Sequence, residues 1–289
     1  MRELFTSAGW LKGNLHMHTT RSDGLMDPAD AIAMYQQAGY DFVALTDHYR
    51  FSGGCTEGEF LILSGAEYDS VSADRLEVFH IVCAGSEKDP GILRTDTVQQ
   101  TIDKINASGG IAILAHPQWS LQTLGGVMPL KGLAGLEIYN SVSAPPMNCR
   151  PDSSYFSDLL SARGKYIGCM AADDSHPYTF ESCRSWIMVN TGDKSRAGIL
   201  AAIKDGRYYA TQGPRIFSAS TDGCKIHIEC APAKSAIFFT NLPWSPKRVL
   251  EGDITAFDYE MTGDESFVRI QIIDEAGDSA WLSPICREK

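Results

Sequence analysis

The sequence predicts an α/β protein, with an incomplete or distorted barrel of βα units over residues 1–213 and a small antiparallel β-sandwich-like domain over residues 214–289. The first observation is that short apolar runs alternate with helical patterns up to Gly213–Pro214, which is typical of parallel strands with connecting helices. The second is that helical patterns stop after Pro214, where short alternating runs are separated by Gly, Asp and Pro. About seven strands precede that point, and this number favours a barrel.

The first βα unit can be followed along the chain. Leu11–His18 is predicted as a strand, and Asp27 begins a helix with Pro28 in its first turn, where a missing N–H is tolerated. Gly39 ends this helix, and Asp41–His48 is the next predicted strand. The same signals therefore predict a helix between two strands.

The later elements are predicted from the same patterns. The strands are Phe60–Glu67, Leu76–Ala84, Ile111–His116, Gly135–Asn140 and Tyr166–Ala172, and the helices are Thr95–Ser108, Ser153–Arg163 and Ser195–Asp205. The last three of these strands are apolar on both faces, as expected of buried parallel strands. The strands predicted after Pro214 are Lys225–Cys230, Ala236–Thr240, Ala256–Met261, Phe267–Ile273 and Trp281–Ile285.

Charge and composition restrict the partners of the chain. A net charge of -11 argues against a surface that holds long nucleic acid, because such surfaces are basic. Small anions are still compatible, since bound cations reverse the sign of charge inside a pocket. We find no signal peptide and no apolar run of roughly 18 residues, so we expect a cytoplasmic protein without a membrane partner. None of the eight cysteines forms a CxxC pair, so we expect reduced thiols and no zinc knuckle.

Ionisable side chains stand at or near the ends of the predicted strands. His16 and His18 are two residues apart on one strand, so they project from the same face. In a parallel barrel the carboxyl ends of the strands converge on one rim, where active sites are built. The candidates with this placement are His16, His18, His48, Glu67, His116, Asp174 and His176, and they are joined by Asp23 in the SDG turn and by His80 within its strand.

A cluster of divalent metal ions would explain why a chain gathers these groups. Unpaired, each would carry a large cost in desolvation or shifted protonation, whereas neutral imidazoles and carboxylates are satisfied as metal ligands. The mixed set suits zinc, manganese or iron, because calcium and magnesium prefer oxygen ligands alone. A single HxH pair occurs by chance, and His80 could be an ordinary core histidine, so the prediction depends on the whole constellation.

The order of the motifs resembles a known family. The series HMHTTRSDG, LTDH, GAE, an interior His, AHP, EIYN and DDSH is similar to the polymerase-and-histidinol-phosphatase (PHP) family of metal-dependent phosphoesterases, from about Trp10 to Pro214. The resemblance implies a distorted (β/α)7 barrel with a site for two or three divalent ions. It implies a first ion held by His16, His18, Glu67 and Asp174, a second held by Glu67, His80 and His116, and a third held by Asp23, His48 and His176.

The ligand set and the resemblance together predict hydrolysis of a small phosphorylated substrate, either a phosphomonoester or a small phosphodiester. A hydroxide activated at a di- or trinuclear site would attack phosphorus in line. We expect Glu67 to set the separation of the metals, and His48, His176 or a metal-bound water to protonate the leaving group. Arg50 and Arg184 are candidate phosphate contacts. The sequence identifies neither the ester nor the oligomeric state.

Three other functions are compatible with the pattern. An amidohydrolase-type hydrolase of C–N or lactone bonds also begins with HxH, but it usually needs a bridging lysine where this chain has Glu67. The barrel could instead be a non-catalytic metal-binding scaffold with a β module that binds carbohydrate or protein. Nuclease activity on a nucleotide or short oligonucleotide is also compatible with the acidic charge, whereas binding of long DNA is not expected.

Overall fold

The computed structural model describes residues 1–71, 77–244 and 246–287 as a mixed α/β structure. Helices begin at the capping residues: Asp27 accepts a hydrogen bond from the Ala29 N–H, and Thr97 forms a reciprocal capping box with Gln100. The helices in these ranges are Pro28–Gln37 (α1), Val98–Ala107 (α2), Leu124–Val127 (α3), Ser154–Ser161 (α4) and Arg196–Lys204 (α5). None of them has the length and apolarity needed to cross a bilayer.

The strands are short in the first part of the chain and longer in the last part. The first nine are Arg2–Phe5 (β1), Trp10–Asn14 (β2), Phe42–Ala44 (β3), Cys55–Glu57 (β4), Phe60–Leu63 (β5), Gly65–Val71 (β6), Val78–Ala84 (β7), Ile111–Leu114 (β8) and Leu133–Asn140 (β9). The other nine are Cys169–Ala172 (β10), Trp186–Asn190 (β11), Tyr208–Thr211 (β12), Ile216–Thr221 (β13), Lys225–Thr240 (β14), Val249–Glu260 (β15), Phe267–Ile273 (β16), Ser279–Trp281 (β17) and Ile285–Cys286 (β18).

These strands form two sheets that meet at their ends. One sheet has 13 strands, in the order β1-β13-β14-β16-β17-β12-β11-β2-β3-β5-β4, with β15 on β14 and β18 on β16. The other has 5 strands, in the order β10-β9-β8-β7-β6. Two isolated parallel bridges, Met17–Ser175 and His48–Glu67, connect residues of the two sheets. The bridges lie beside predicted site residues, so the site is at the junction of the sheets.

The α/β class is confirmed, but a closed (β/α)7 barrel is not shown, because the described strands form two open sheets. β6 and β7 are antiparallel, since residues 72–77 are too few for a parallel crossover, which needs about a dozen residues. β8 is antiparallel to β7 and parallel to β9. The strand predicted over Leu76–Ala84 is present as β7, and Leu76 itself lies outside the described residues.

The region after Pro214 is antiparallel, as predicted, but its strands are joined differently. The separate strands predicted at Lys225–Cys230 and Ala236–Thr240 are one strand, β14, whose register with β15 shifts on both sides of Ala233. Such bulges bend a strand without ending it. A separate sandwich is not shown, since every described strand of this region belongs to the 13-stranded sheet. The boundary between residues 213 and 214 stays a prediction.

The C-terminal strands pack firmly against the α/β part. Arg269 of β16 is fully buried and makes two hydrogen bonds to Asp158 of α4, at 2.7 Å from Nε and 2.8 Å from a terminal nitrogen. The ring of Trp281 stacks on Tyr139 of β9, with ring centroids 5.6 Å apart. β9 also carries residues that contact the site, so the C-terminal strands support its base.

Candidate metal centre

The nine predicted ligands lie together where the two sheets meet. Eight of them fall into three groups in which ligand atoms lie within 4.8 Å of one another, and the ninth, His80, contacts Glu67. The groups are His16, His18 and Asp174; His16, Glu67 and His116; and His18, Asp23, His48 and His176. These groups overlap the three sets implied by the family resemblance without matching them residue for residue.

One oxygen of Glu67 faces three imidazoles. Glu67 Oε2 lies 3.4 Å from His16 Nε2, 3.2 Å from His18 Nε2 and 3.2 Å from His48 Nδ1. Glu67 lies in β6 and is 1% exposed, while the three histidines follow β2 and β3 in the other sheet. The carboxylate therefore connects ligands delivered by both sheets.

The second oxygen of Glu67 faces the opposite side of the site. Glu67 Oε1 lies 3.2 Å from His80 Nδ1 and 3.5 Å from His116 Nε2. His116 Nε2 is also 3.7 Å from Asp174 Oδ2. Each oxygen of Glu67 thus has its own set of imidazoles, which is the arrangement needed for a carboxylate that bridges two cations.

Asp174 closes the buried end of the site. Its Oδ1 lies 3.1 Å from both His16 Nε2 and His18 Nε2, and these two nitrogens are 3.1 Å apart. Asp174 has φ 53° and His116 has φ 27°, in the left-handed region that is costly for residues with a Cβ. Such strain is typical of functional sites, where the surrounding structure holds a side chain in a required direction.

The outer group is more exposed. Asp23 Oδ1 lies 3.5 Å from His18 Nδ1 and 3.6 Å from His176 Nε2, and Asp23 Oδ2 lies 3.6 Å from His48 Nε2. The Asp23 side chain is 56% exposed, whereas His48 and His176 are half-buried. This group lies at the solvent side of the cluster and gives access to the buried groups behind it.

Two buried atoms in the cluster lack a hydrogen bond. His48 Nδ1 and Asp174 Oδ1 are each within 3.2 Å of a group of suitable type, yet neither makes a hydrogen bond. Buried polar atoms without partners are rare in folded proteins. A cation placed among these atoms would satisfy them together, and the mixed nitrogen and oxygen donors suit zinc, manganese or iron. The residues present therefore fit divalent metal ions.

The buried histidines and carboxylates of the cluster shift one another's pKa values. Burial lowers the pKa of His16 and His18, but the neighbouring carboxylates outweigh it, so that the pKa of His16 lies well above its ordinary value and that of His18 is raised to about 9. Burial raises the pKa of Glu67, but the imidazole of His16 and its neighbours lower it well below its ordinary value. Burial lowers the pKa of His48. Protons on the inner imidazoles and a divalent ion would thus compete for the same positions.

Glu137 supports the cluster and was not among the predicted site residues. Its Oε1 lies 2.7 Å from His16 Nδ1, and its Oε2 accepts hydrogen bonds from the His116 backbone N–H at 2.9 Å and from Asn140 Nδ2 at 2.7 Å. Asn140 Nδ2 is also 3.1 Å from Asp174 Oδ2. Both residues belong to the EIYN motif, so the sequence contained the signal but did not assign it a role.

Two further buried aspartates hold the loops that carry ligands. Asp47, next to His48, accepts hydrogen bonds from the Thr19 N–H at 2.7 Å and from Ser22 Oγ at 2.8 Å. Asp173, next to Asp174, accepts hydrogen bonds from the Tyr35 hydroxyl and from three successive backbone N–H groups, those of residues 183–185. The aspartate of the LTDH motif and the first aspartate of DDSH therefore fix the backbone, whereas the residue after each of them faces the cluster.

The two arginines predicted as phosphate contacts lie outside the lining of the cavity over the cluster. Arg50 and Arg184 are both exposed, and neither is among the residues that line the cavity over the cluster. Arg184 donates its backbone N–H to Asp173. The cavity measures about 430 Å³. Its lining residues are Asp23, Leu25, His48, Glu67, His80, His116, Trp119, Val142, Ser143, Met147, Asn148, Asp174, His176 and Pro177.

The chain is similar to several known proteins, and one of these similarities identifies its fold. No protein-family model matches the chain. An uncharacterised protein of Methanocaldococcus jannaschii is 26% identical over 149 residues, which are 45% of this chain and 82% of that protein. The structure of an amidohydrolase of Chromobacterium violaceum, with bound sulfate and no metal, matches 58% of this chain and 89% of its own at 16% identity, with a TM-score of 0.43.

A third protein matches over nearly its whole length. It is a two-domain protein of Bacteroides vulgatus that contains a predicted PHP-like metal-dependent phosphoesterase. It is 15% identical, has a TM-score of 0.57, and is covered to 96%, as is this chain. The chain therefore shares its fold with a two-domain PHP-like phosphoesterase protein, as the resemblance of its motifs predicted.

Proposed function

We propose that the chain is a metal-dependent phosphoesterase that hydrolyses a small phosphomonoester or phosphodiester at a di- or trinuclear site. The observation that carries the proposal is Glu67, a buried carboxylate whose two oxygens face imidazoles on opposite sides. The shared fold with a PHP-like protein supports the same class of reaction. The mixed nitrogen and oxygen donors are compatible with zinc, manganese and iron.

Glu67 would hold two ions at a fixed separation. His16, His18 and Asp174 would complete one position, and His80 and His116 the other, with Asp23, His48 and His176 as candidates for a third. Bound divalent ions supply Lewis acidity toward phosphoryl oxygens and make a nucleophile available near neutral pH.

The chain's own groups orient the ligands and move the proton. Glu137 accepts from His16 Nδ1, which leaves His16 Nε2 directed at Glu67 and Asp174. His48 and His176 line the open side of the cavity, where an ester oxygen would leave. Burial lowers the pKa of His48 and so favours its neutral form, which would need to take up a proton before donating it.

The test compares two glutamine variants in protein loaded separately with zinc, manganese or iron. Glu67→Gln removes the bridging charge, and Glu59→Gln changes an exposed glutamate paired with Lys194. We expect Glu67→Gln to lose bound metal in elemental analysis and to lose phosphate release by more than about 100-fold, beyond the range seen for outer partners of metal ligands. Glu59→Gln should resemble the parent protein.

The substrate panel contains phosphomonoesters, phosphodiesters and simple lactones. Hydrolysis of a phosphoester that depends on added metal supports the proposal. Hydrolysis of lactones alone would favour the amidohydrolase-type reaction, and full activity in Glu67→Gln would remove Glu67 from the mechanism.

A further inference from the structure

The mouth of the metal-site cavity is apolar, in contrast to its floor. Five apolar residues line it: Leu25, Trp119, Val142, Met147 and Pro177. Leu25, Trp119 and Met147 are 74%, 38% and 52% exposed, although apolar side chains of this size usually gain by being covered. Exposed apolar side chains that line a cavity beside polar groups are typical of a ligand-binding site.

Trp119 is held in a defined orientation within this mouth. Its indole Nε1 donates a hydrogen bond to Asn148 Oδ1 at 3.0 Å. The ring meets the imidazole of His116 edge-on, with centroids 4.9 Å apart, and that of His80 with centroids 6.0 Å apart. The indole therefore forms a fixed flat wall directly beside two of the predicted metal ligands.

The charges around the mouth disfavour a second anionic group on the substrate. Within the described ranges, no lysine or arginine lines the cavity, and the charged residue at its open side is the acidic Asp23. Arg94 lies outside the lining and pairs with Asp69 at 3.5 Å while covering the ring of Tyr49. A phosphoryl group at the cluster would thus have its only compensating charge at the metal positions.

We propose that the mouth binds an uncharged, flat apolar group of the substrate, so that the preferred ester carries a single phosphoryl group on an apolar aromatic alcohol. This inference rests on the proposed phosphoesterase function and deepens it, since the same site would select the organic part of the ester. Stacking on Trp119 and contact with Met147 would provide the selectivity, because aromatic rings gain most from a fixed, flat apolar partner.

The experiment measures kcat/KM for phosphate release from three primary alkyl esters with the metal-loaded full chain. They are 2-phenylethyl phosphate, ethyl phosphate and 1,3-propanediol bisphosphate, which have similar leaving groups and differ in the remainder. We expect a preference of at least about tenfold for the phenyl ester over both others. Equal rates, or a preference for the bisphosphate, would overturn the inference and leave the proposed function standing. Absence of phosphate release from all three would overturn the inference, and the proposed function would fall with it if the phosphodiesters of the substrate panel were not hydrolysed either.

Two variants locate the preference. Trp119→Ala should reduce the phenyl-to-ethyl ratio by about fivefold to tenfold, and Trp244→Ala, which removes a 78% exposed tryptophan in the C-terminal region, should not change it. An unchanged ratio in Trp119→Ala, or the same reduction in Trp244→Ala, would contradict the role of Trp119.

Because Trp119 touches His116, metal content is measured for each variant. If Trp119→Ala loses metal, Met147→Lys decides the question, as Met147 is exposed and lies outside the ligand groups. A cation at the mouth should raise the rate for the bisphosphate relative to the phenyl ester by about threefold. No change in that ratio would show that the mouth does not contact the organic part of the ester.

Discussion

Replacing Glu137 by Gln tests whether a carboxylate behind the ligands controls metal binding. Glu137 is 1% exposed and accepts from His16 Nδ1 at 2.7 Å and from the His116 N–H at 2.9 Å, one through each oxygen. Glutamine has a single acceptor oxygen. If that oxygen faces one donor, the amide NH2 group faces the other, and a buried N–H is left without an acceptor.

The two contacts of Glu137 set the size of the expected losses in stability and in metal affinity. An unsatisfied buried donor costs about 1–3 kcal/mol, which the variant should lose in its free energy of unfolding. Loss of the carboxylate also weakens the orientation and basicity of His16, and such changes typically lower metal affinity by about 10–100-fold. That range equals about 1.4–2.7 kcal/mol in binding free energy.

The assay titrates chelator-treated protein with zinc in competition with a chromogenic chelator, and follows chemical unfolding of the same samples. Titration near pH 9 limits competition between zinc and the proton on His16, whose pKa is raised in part by Glu137. The matched control is Glu87→Gln, an exposed glutamate paired with Arg196 at 2.8 Å. If Glu137→Gln kept its zinc affinity within twofold of the parent protein, the proposed role of Glu137 in orienting His16 would be wrong.

Three more predictions concern stability. The unfolding free energy of chelator-treated protein should fall between about pH 6.5 and pH 9. The pKa of His18 is raised to about 9 in the folded protein, so protonated His18 stabilises the fold below its unfolded pKa, and this stability is lost as the pH rises through the folded pKa. A flat pH profile in urea unfolding would contradict this prediction. Metal loading should raise the unfolding free energy by about 2.7 kcal/mol when the free metal concentration is 100 times Kd. If the cluster binds no ion, thermal unfolding with and without chelator would be the same. Asp158→Ala should lower the free energy of unfolding in urea by about 3–5 kcal/mol, because it leaves the buried guanidinium of Arg269 unpaired. Asp205→Ala, in an exposed pair with Arg207, should lower it by less than about 1 kcal/mol. Equal losses in the two variants would rule out the buried pair as the cause.

The ligand positions could be predicted because strand geometry is local. His16 and His18 share a face through the two-residue period of a strand, and His116 and Asp174 each follow an apolar run. The structure places these residues in one cluster with Glu67 between them. Glu137 could not be assigned in this way, because its role depends on which side chains meet it from other strands.

The arginines illustrate the opposite case. Arg50 and Arg184 were chosen for their nearness in sequence to LTDH and to the strand RSWIMVN, but both side chains are exposed and outside the cavity. Each arginine directly follows a residue with positive φ, Tyr49 at 51° and Cys183 at 60°, so the backbone before it departs from the direction of an extended strand. Sequence proximity to a motif is therefore a weaker basis for predicting a site residue than placement at the end of a strand.

The sequence by itself determined the α/β class, the antiparallel character of the last part of the chain, and the residue types available at the strand ends. Only the tertiary structure decided that β7 runs against its neighbours, that β14 is one bent strand, and that Glu67 presents one oxygen to each side of the cluster. The physical reason is that periodicity within a segment records which face is buried. Strand direction, register and the sharing of a ligand atom depend on contacts between segments that are far apart in the chain.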